Sequence, residues 1–282
     1  MAAALALAAL GATACDRGEA NSAGTVPVVT AFYPLQFVAE QVGGDAVAAT
    51  NLAKPGAEPH DLELDAGQVR RIADAKLVVY LHGFQPAVDE AVDQQAKATK
   101  FDAAAVEPLR GGDPHIWLDP MRLAAIADKL GERLATVDPD HAADYQARAA
   151  TLRSKLEALD KEYAEGLTNC QRKEIVTSHA AFGYLAARYG LAQLPIAGLS
   201  PEEEPSAQRL AEIATEAKAH GTTTIFFETL VSPAVARTLA RQVGAKAEVL
   251  DPIEGLEPGS TGDYFSVMRA NLGRLRTALG CT

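Results

Sequence analysis

The chain has 282 residues, 48% of them hydrophobic and 22% charged, and carries a formal net charge of −11. At about 150 residues per domain this length suggests two units, each able to bury a core, and the composition excludes a disordered chain. The acidic balance excludes a nucleic-acid backbone as partner and tolerates cations.

Residues 1–14 are an export leader by composition: Ala2–Ala14 is uncharged and mostly Ala and Leu, shorter than the about 20 residues that span a bilayer as a helix. Cys15 follows Ala12-Thr13-Ala14, and residues 15–25 read as a polar, flexible linker. The junction resembles a bacterial lipoprotein cleavage site, in which the cysteine becomes the lipidated first residue, although Ala12 stands where Leu is usual. The resemblance implies an exported chain, in the periplasm or on the outer face of the membrane, anchored through Cys15.

From Val26 short β-branched runs alternate with helical patterns, the signature of βα units and a mostly parallel sheet. Val26–Thr30 is a strand. Leu35, Val38, Ala39 and Val42 follow at helical spacing until Gly43-Gly44. Strands at Val47–Leu52 and Leu77–Leu81 enclose a helix over Ala66–Ala75, and another helix spans Pro86–Ala98. After a helix over Pro120–Val137, Asp138-Pro139 reads as the cap and first turn of a longer one. Its apolar stripe runs through Tyr145, Ala149, Leu152, Leu156, Leu159, Tyr163 and Leu167, and roughly 28 residues reach about 40 Å. The α/β rhythm then restarts: strands over Glu174–Thr177, Thr222–Phe227 and Ala247–Leu250, and helices over Ala180–Tyr189, Ala207–His220, from Ser232-Pro233 to Val243, and from Asp263-Tyr264 to Leu279. The expected architecture is two α/β lobes with mostly parallel sheets, 26–137 and 168–282, joined by one long rigid helix over 138–167.

Apart from Cys15, the cysteines are Cys170 and Cys281, an even pair in a chain read as exported, where a disulfide persists. Joining them closes about 110 residues, worth roughly 4 to 5 kcal/mol in the chain-entropy model; the alternative is two buried thiols.

Three of the six histidines fall where ligands gather in open parallel sheets, beyond the carboxyl ends of strands. His60 lies in Glu58-Pro59-His60-Asp61 after the second strand, His115 in Asp113-Pro114-His115-Ile116-Trp117, and His179 closes Thr177-Ser178-His179. Asp251 sits equivalently, between Leu250 and Pro252. Three imidazoles and one carboxylate make a closed four-coordinate shell suited to Zn(II). His82, His141 and His220 are weaker candidates; His220 sits at a helix end, where positive charge suits the dipole.

On these segments, with Lys54-Pro55-Gly56-Ala57, Leu118-Asp119-Pro120, Ala180-Ala181-Phe182, Ser200-Pro201-Glu202 to Pro205-Ser206, Phe226-Phe227-Glu228 to Val231-Ser232-Pro233 and Leu250-Asp251-Pro252, the chain resembles the ZnuA-like zinc solute-binding proteins of ABC importers, the metal-type periplasmic binding proteins, from about Val26 to Leu279. The resemblance implies a rigid helix bridging two lobes, with metal between them: His60 and His115 from the first lobe, His179 and Asp251 from the second. Manganese-selective members tend to carry a carboxylate where His179 stands, so the imidazole favours zinc, in line with ligand softness. One departure is the loop before His115. Many zinc-type relatives have a His-rich acidic stretch there, and this chain has only Glu107-Pro108-Leu109-Arg110-Gly111-Gly112.

The expected function is therefore capture of Zn(II) outside the cell membrane and delivery to an ABC permease with its ATPase, by a monomer that is not an enzyme. Protons compete for the imidazoles, so affinity should fall as pH drops through about 6.5. Rival readings are a surface adhesin or metal chaperone on the same scaffold, and a zinc hydrolase with Glu228 as general base. The last lacks a His-Glu-x-x-His helix and a Gly-x-Ser-x-Gly elbow.

Overall fold

A computed structural model describes residues 24–95 and 99–282; Cys15 and the leader lie outside the described residues. In chain order the elements are β1 (Val26–Thr30), α1 (Tyr33–Gly43), β2 (Val47–Asn51), α2 (Ala66–Asp74), β3 (Leu77–Tyr80), α3 (Pro86–Gln95), β4 (Thr99–Asp102), α4 (Ala103–Val106), α5 (Pro120–Val137), α6 (Ala142–Gly166), β5 (Glu174–Thr177), α7 (Gly183–Tyr189), β6 (Ala192–Pro195), α8 (Ala207–Ala219), β7 (Thr224–Phe227), α9 (Ala234–Val243), β8 (Lys246–Val249) and α10 (Tyr264–Leu279). The strands form two four-stranded sheets, in the orders β2-β1-β3-β4 and β6-β5-β7-β8. Every pairing is parallel, so the expected α/β architecture holds. In each sheet the order reverses beside the first strand, which opens a crevice at the carboxyl edge.

Two strands escaped the sequence pattern, β4 (TKFD) and β6 (AQLP). Both are edge strands; β4 has Phe101 as its one apolar residue, and β6 ends on Pro195, which an edge tolerates because one side of it needs no ladder donor.

Local chemistry explains most helix ends. Asp65 and Gln68 form a reciprocal capping box on α2, Asp119 caps α5 with Pro120 in its first turn, and Asp263 with Ser266 starts α10. The long helix starts later than expected. Pro139–His141 is a turn of 3-10 helix, and α6 begins at Ala142 with no side-chain cap. Asp138 instead accepts hydrogen bonds from the Tyr145 hydroxyl at 2.6 Å and lies 2.7 Å from His141 Nδ1. The 25 residues of α6 extend about 37 Å.

The buried stripe of α6 packs along α1 and α5, and its far half meets α10, where the Tyr163 hydroxyl donates to Met268 O at 2.6 Å. One continuous core includes the first sheet, these helices and residues that follow the second sheet, among them Leu250, Ile253 and Tyr264. Tyr264 stacks on Phe37 of α1, with ring centroids 5.4 Å apart. A smaller cluster, including Val176, Ile213, Ile225 and Leu239, underlies α8 and α9. A disulfide joins Cys170 to Cys281 and pins the end of α10 to the segment that follows α6. Among the described residues no helix is long and apolar enough to cross a membrane.

Candidate metal centre

Three buried side chains and one partly buried one, His60, meet at the seam between the sheets from distant parts of the chain. His60 comes from the loop after β2, His115 from the turn that precedes α5, His179 from the residues just after β5, and Glu254 from the loop after β8. One ligand atom of each lies within 4.8 Å of the others. Glu254 Oε1 is the hub: it lies 3.0 Å from His115 Nε2, 3.3 Å from His179 Nε2 and 3.4 Å from His60 Nε2. His115 Nε2 and His179 Nε2 are 3.3 Å apart. Zinc–nitrogen and zinc–oxygen bonds near 2.0–2.1 Å imply a tetrahedron with edges of about 3.4 Å, so these separations suit a zinc-sized ion.

Orienting groups behind the rings favour the same use. Asp113 Oδ1 is 2.7 Å from His115 Nδ1, and Glu228 Oε1 is 2.8 Å from His179 Nδ1 while accepting from Ser178 Oγ at 2.6 Å. A carboxylate that accepts the hydrogen bond of Nδ1–H leaves Nε2 of a neutral ring with its lone pair aimed into the centre. Glu228 reaches this position from the carboxyl end of β7, and its side chain is 2% exposed. The His60 ring is held against Phe84, centroids 4.7 Å apart, and its backbone N–H donates to Glu58 Oε1 at 3.0 Å.

Converging lone pairs repel unless a cation lies among them. In the metal-free chain protons take that part. Burial disfavours a charged His179, but hydrogen bonding to Glu228 and Glu254 outweighs it, and the ring is pushed up to about 10. His115 is raised by the same competition between burial and its contacts with Asp113 and Glu254. Burial opposes ionisation of Glu254 too, yet the three histidines hold its carboxyl well below the ordinary range. Glu58 moves the other way, pushed up to about 8 by burial and then by the charge of Glu254. Buried His60 Nε2 and one oxygen each of Glu58, Glu228 and Glu254 make no hydrogen bond. Such atoms are costly without a partner, and a cation bound among the four side chains would supply one to His60 Nε2.

The expected fourth ligand was Asp251, and the structure does not place it in this group. Asp251 Oδ1 accepts from Ile253 N at 2.7 Å and Oδ2 from Thr229 Oγ1 at 3.3 Å, so the carboxylate folds back on its own loop. Glu254, three residues on, projects inward instead. Nothing in the periodicity marked it; only its place beyond the carboxyl end of β8, shared with Asp251, was a usable signal. Of the other histidines, His82 faces Asp89, His141 faces Asp138, and His220 is 2.7 Å from Glu174 at the end of α8.

The model of the family described as "Zinc-uptake complex component A periplasmic", ZnuA, matches residues 28–278. The zinc-binding lipoprotein AdcA of Streptococcus pneumoniae is 37% identical, over 96% of this chain and 59% of that protein. The chain thus spans under two thirds of that relative. The crystal structure of the Zn(II)-bound ZnuA-like domain of the same species' AdcA superimposes with a TM-score of 0.80 at 38% identity, covering 91% of this chain and 99% of the domain. The laminin-binding protein Lmb of Streptococcus agalactiae, described as a bifunctional protein with adhesin and metal transporting activity, gives 0.83 at 35% identity, covering 90% and 99%. By the reach of the family match and the identity to these proteins, the chain belongs to the ZnuA family of zinc-uptake components.

Proposed function

We propose that this chain captures Zn(II) at the seam, with His60, His115, His179 and Glu254 as the four ligands, and delivers it to a membrane permease driven by an ATPase. The observation that carries this reading is the meeting of three imidazole Nε2 atoms on one buried carboxylate oxygen, with separations that suit a tetrahedral ion. Membership of the zinc-uptake family supports the delivery step. The ligands come from segments proposed as separate lobes, 26–137 and 168–282, so a shift of one relative to the other at the permease would loosen the ion. A lipid anchor at Cys15, a place outside the cytoplasmic membrane and a monomeric state belong to the same proposal.

Four protein ligands fill the shell and leave no position for an activated water, which argues against a zinc hydrolase. Glu228, the base such an enzyme would need, is already engaged by His179 and Ser178. The test is calorimetric titration of zinc into metal-free protein. Wild type should bind one ion tightly, and His179→Ala should bind it far more weakly; no zinc heat in wild type, or unchanged affinity in the variant, overturns the proposal. A second reading, adhesion, is favoured by the likeness to Lmb; laminin binding that persists after the zinc site is removed would support it.

A further inference from the structure

Among the described residues Ile253 is the one non-glycine with a positive φ, at 59°. For a β-branched side chain this is a true outlier, and such strain persists only where the surroundings over-determine it. Ile253 immediately precedes Glu254, and its side chain is fully buried.

The contacts that impose the conformation are all present. Asp251 Oδ1 accepts from Ile253 N at 2.7 Å, the hydrogen bond of an Asx turn. Asn271 on α10 brackets Asp251: its side-chain oxygen accepts from Asp251 N at 3.0 Å, and its amide donates to Asp251 O at 2.7 Å. Trp117 Nε1, from the other side of the seam, donates to Pro252 O at 2.7 Å. The turn is thus held from both sides, and the residue it delivers is the carboxylate between the three histidines.

We propose that Asp251 is a positioning residue for the metal: by accepting the Ile253 N–H it holds the strained turn that presents Glu254 to the three imidazoles, without touching the ion itself. This rests on the zinc site proposed above. An ordinary turn with Ile253 at negative φ would redirect the chain at the next residue and carry the Glu254 carboxylate away from His115. Asparagine can replace Asp251 in this role, because its carbonyl oxygen still accepts from Ile253 N and its amide can donate to Thr229 Oγ1. Alanine cannot.

The experiment measures zinc affinity by competition with a chromophoric chelator, alongside the metal-free melting temperature, for wild type, Asp251→Ala, Asp251→Asn and the double variant Asp251→Ala/Ile253→Gly. Asp251→Ala should bind roughly 10- to 100-fold more weakly, the usual effect of losing an outer partner of a metal ligand. Asp251→Asn should stay near wild type. The double variant should regain most of the loss, because glycine adopts positive φ freely. Asp251→Asn as weak as Asp251→Ala would make Asp251 a ligand and overturn the proposal, as would Asp251→Ala as tight as wild type. If Asp251 only stabilised the fold, the double variant would bind worse than Asp251→Ala, since it also loses a buried side chain; that result overturns the proposal too. A wild type that binds no zinc removes the site on which the proposal rests.

Discussion

At the proposed zinc site one side chain, His179, would carry both the affinity and its pH dependence. Glu228 fixes its Nδ1 face and Glu254 draws its Nε2 face, and the ring is pushed up to about 10 against the opposing effect of burial. Zinc bound at the proposed site would therefore have to displace a proton even at neutral pH, which shifts the expected sensitive window above the unperturbed histidine range near about 6.5. Zinc titrations at about pH 8 in buffers of different ionisation heat should show release of at least one proton, and apparent affinity should rise by up to about tenfold per pH unit for each proton released. Buffer-independent heats would contradict this. The sign reverses for the metal-free chain. A folded-state value raised above the unfolded one stabilises fully below about 6.5 and loses that stabilisation as pH rises towards about 10, so its melting temperature should decline over that window.

The three histidines were legible in the sequence because each follows a recognisable strand or a Pro-bounded motif. Glu254 was not. Asp251 and Glu254 both lie in the loop after β8, and which of them points inward depends on the left-handed Ile253 between them, a conformation that side-chain type argues against.

At the scale of elements, α6 was readable from its stripe, since six of the seven apolar positions lie within the helix and are buried; Leu167, the seventh, is buried at its cap. Its first turn was misread because Asp138-Pro139 has the composition of a cap while Asp138 is occupied by Tyr145 and His141. Strands β4 and β6 carried no readable alternation because each is only four residues long and buries a single side chain, Phe101 in β4 and Leu194 in β6. The Cys170–Cys281 bond closes a long loop, with its cysteines 111 residues apart in sequence, and joins the end of α10 to the segment between α6 and β5. Replacing both cysteines by serine should lower stability by roughly 2–5 kcal/mol in reversible denaturation. Because Cys281 lies beyond the last residue of α10, ten positions from the Asn271 that contacts the Asp251 turn, zinc affinity in the folded variant should be unchanged. A variant as stable as wild type would contradict the structural role.

For the whole molecule, the two-sheet plan followed from the restart of the βα rhythm after α6, but the distribution of the core did not. Residues that follow the second sheet in sequence, Leu250, Ile253 and Tyr264, pack into the same core as β1 and α1, and Trp117 donates across the seam to Pro252. A local hydrophobic pattern reports that a residue is buried, not which sheet it is buried against. The consequence is a seam already packed beside the candidate metal centre, so that the proposed ion would be held where two sheets share one hydrophobic interior. Anomalous diffraction at the zinc edge from crystals of the zinc-loaded protein tests this most directly. One zinc peak should lie within about 2.0–2.2 Å of His60, His115 and His179 Nε2 and a Glu254 oxygen, with Asp251 still bonded to Ile253 N. A zinc peak elsewhere, or one ligated by Asp251 in place of Glu254, would contradict it.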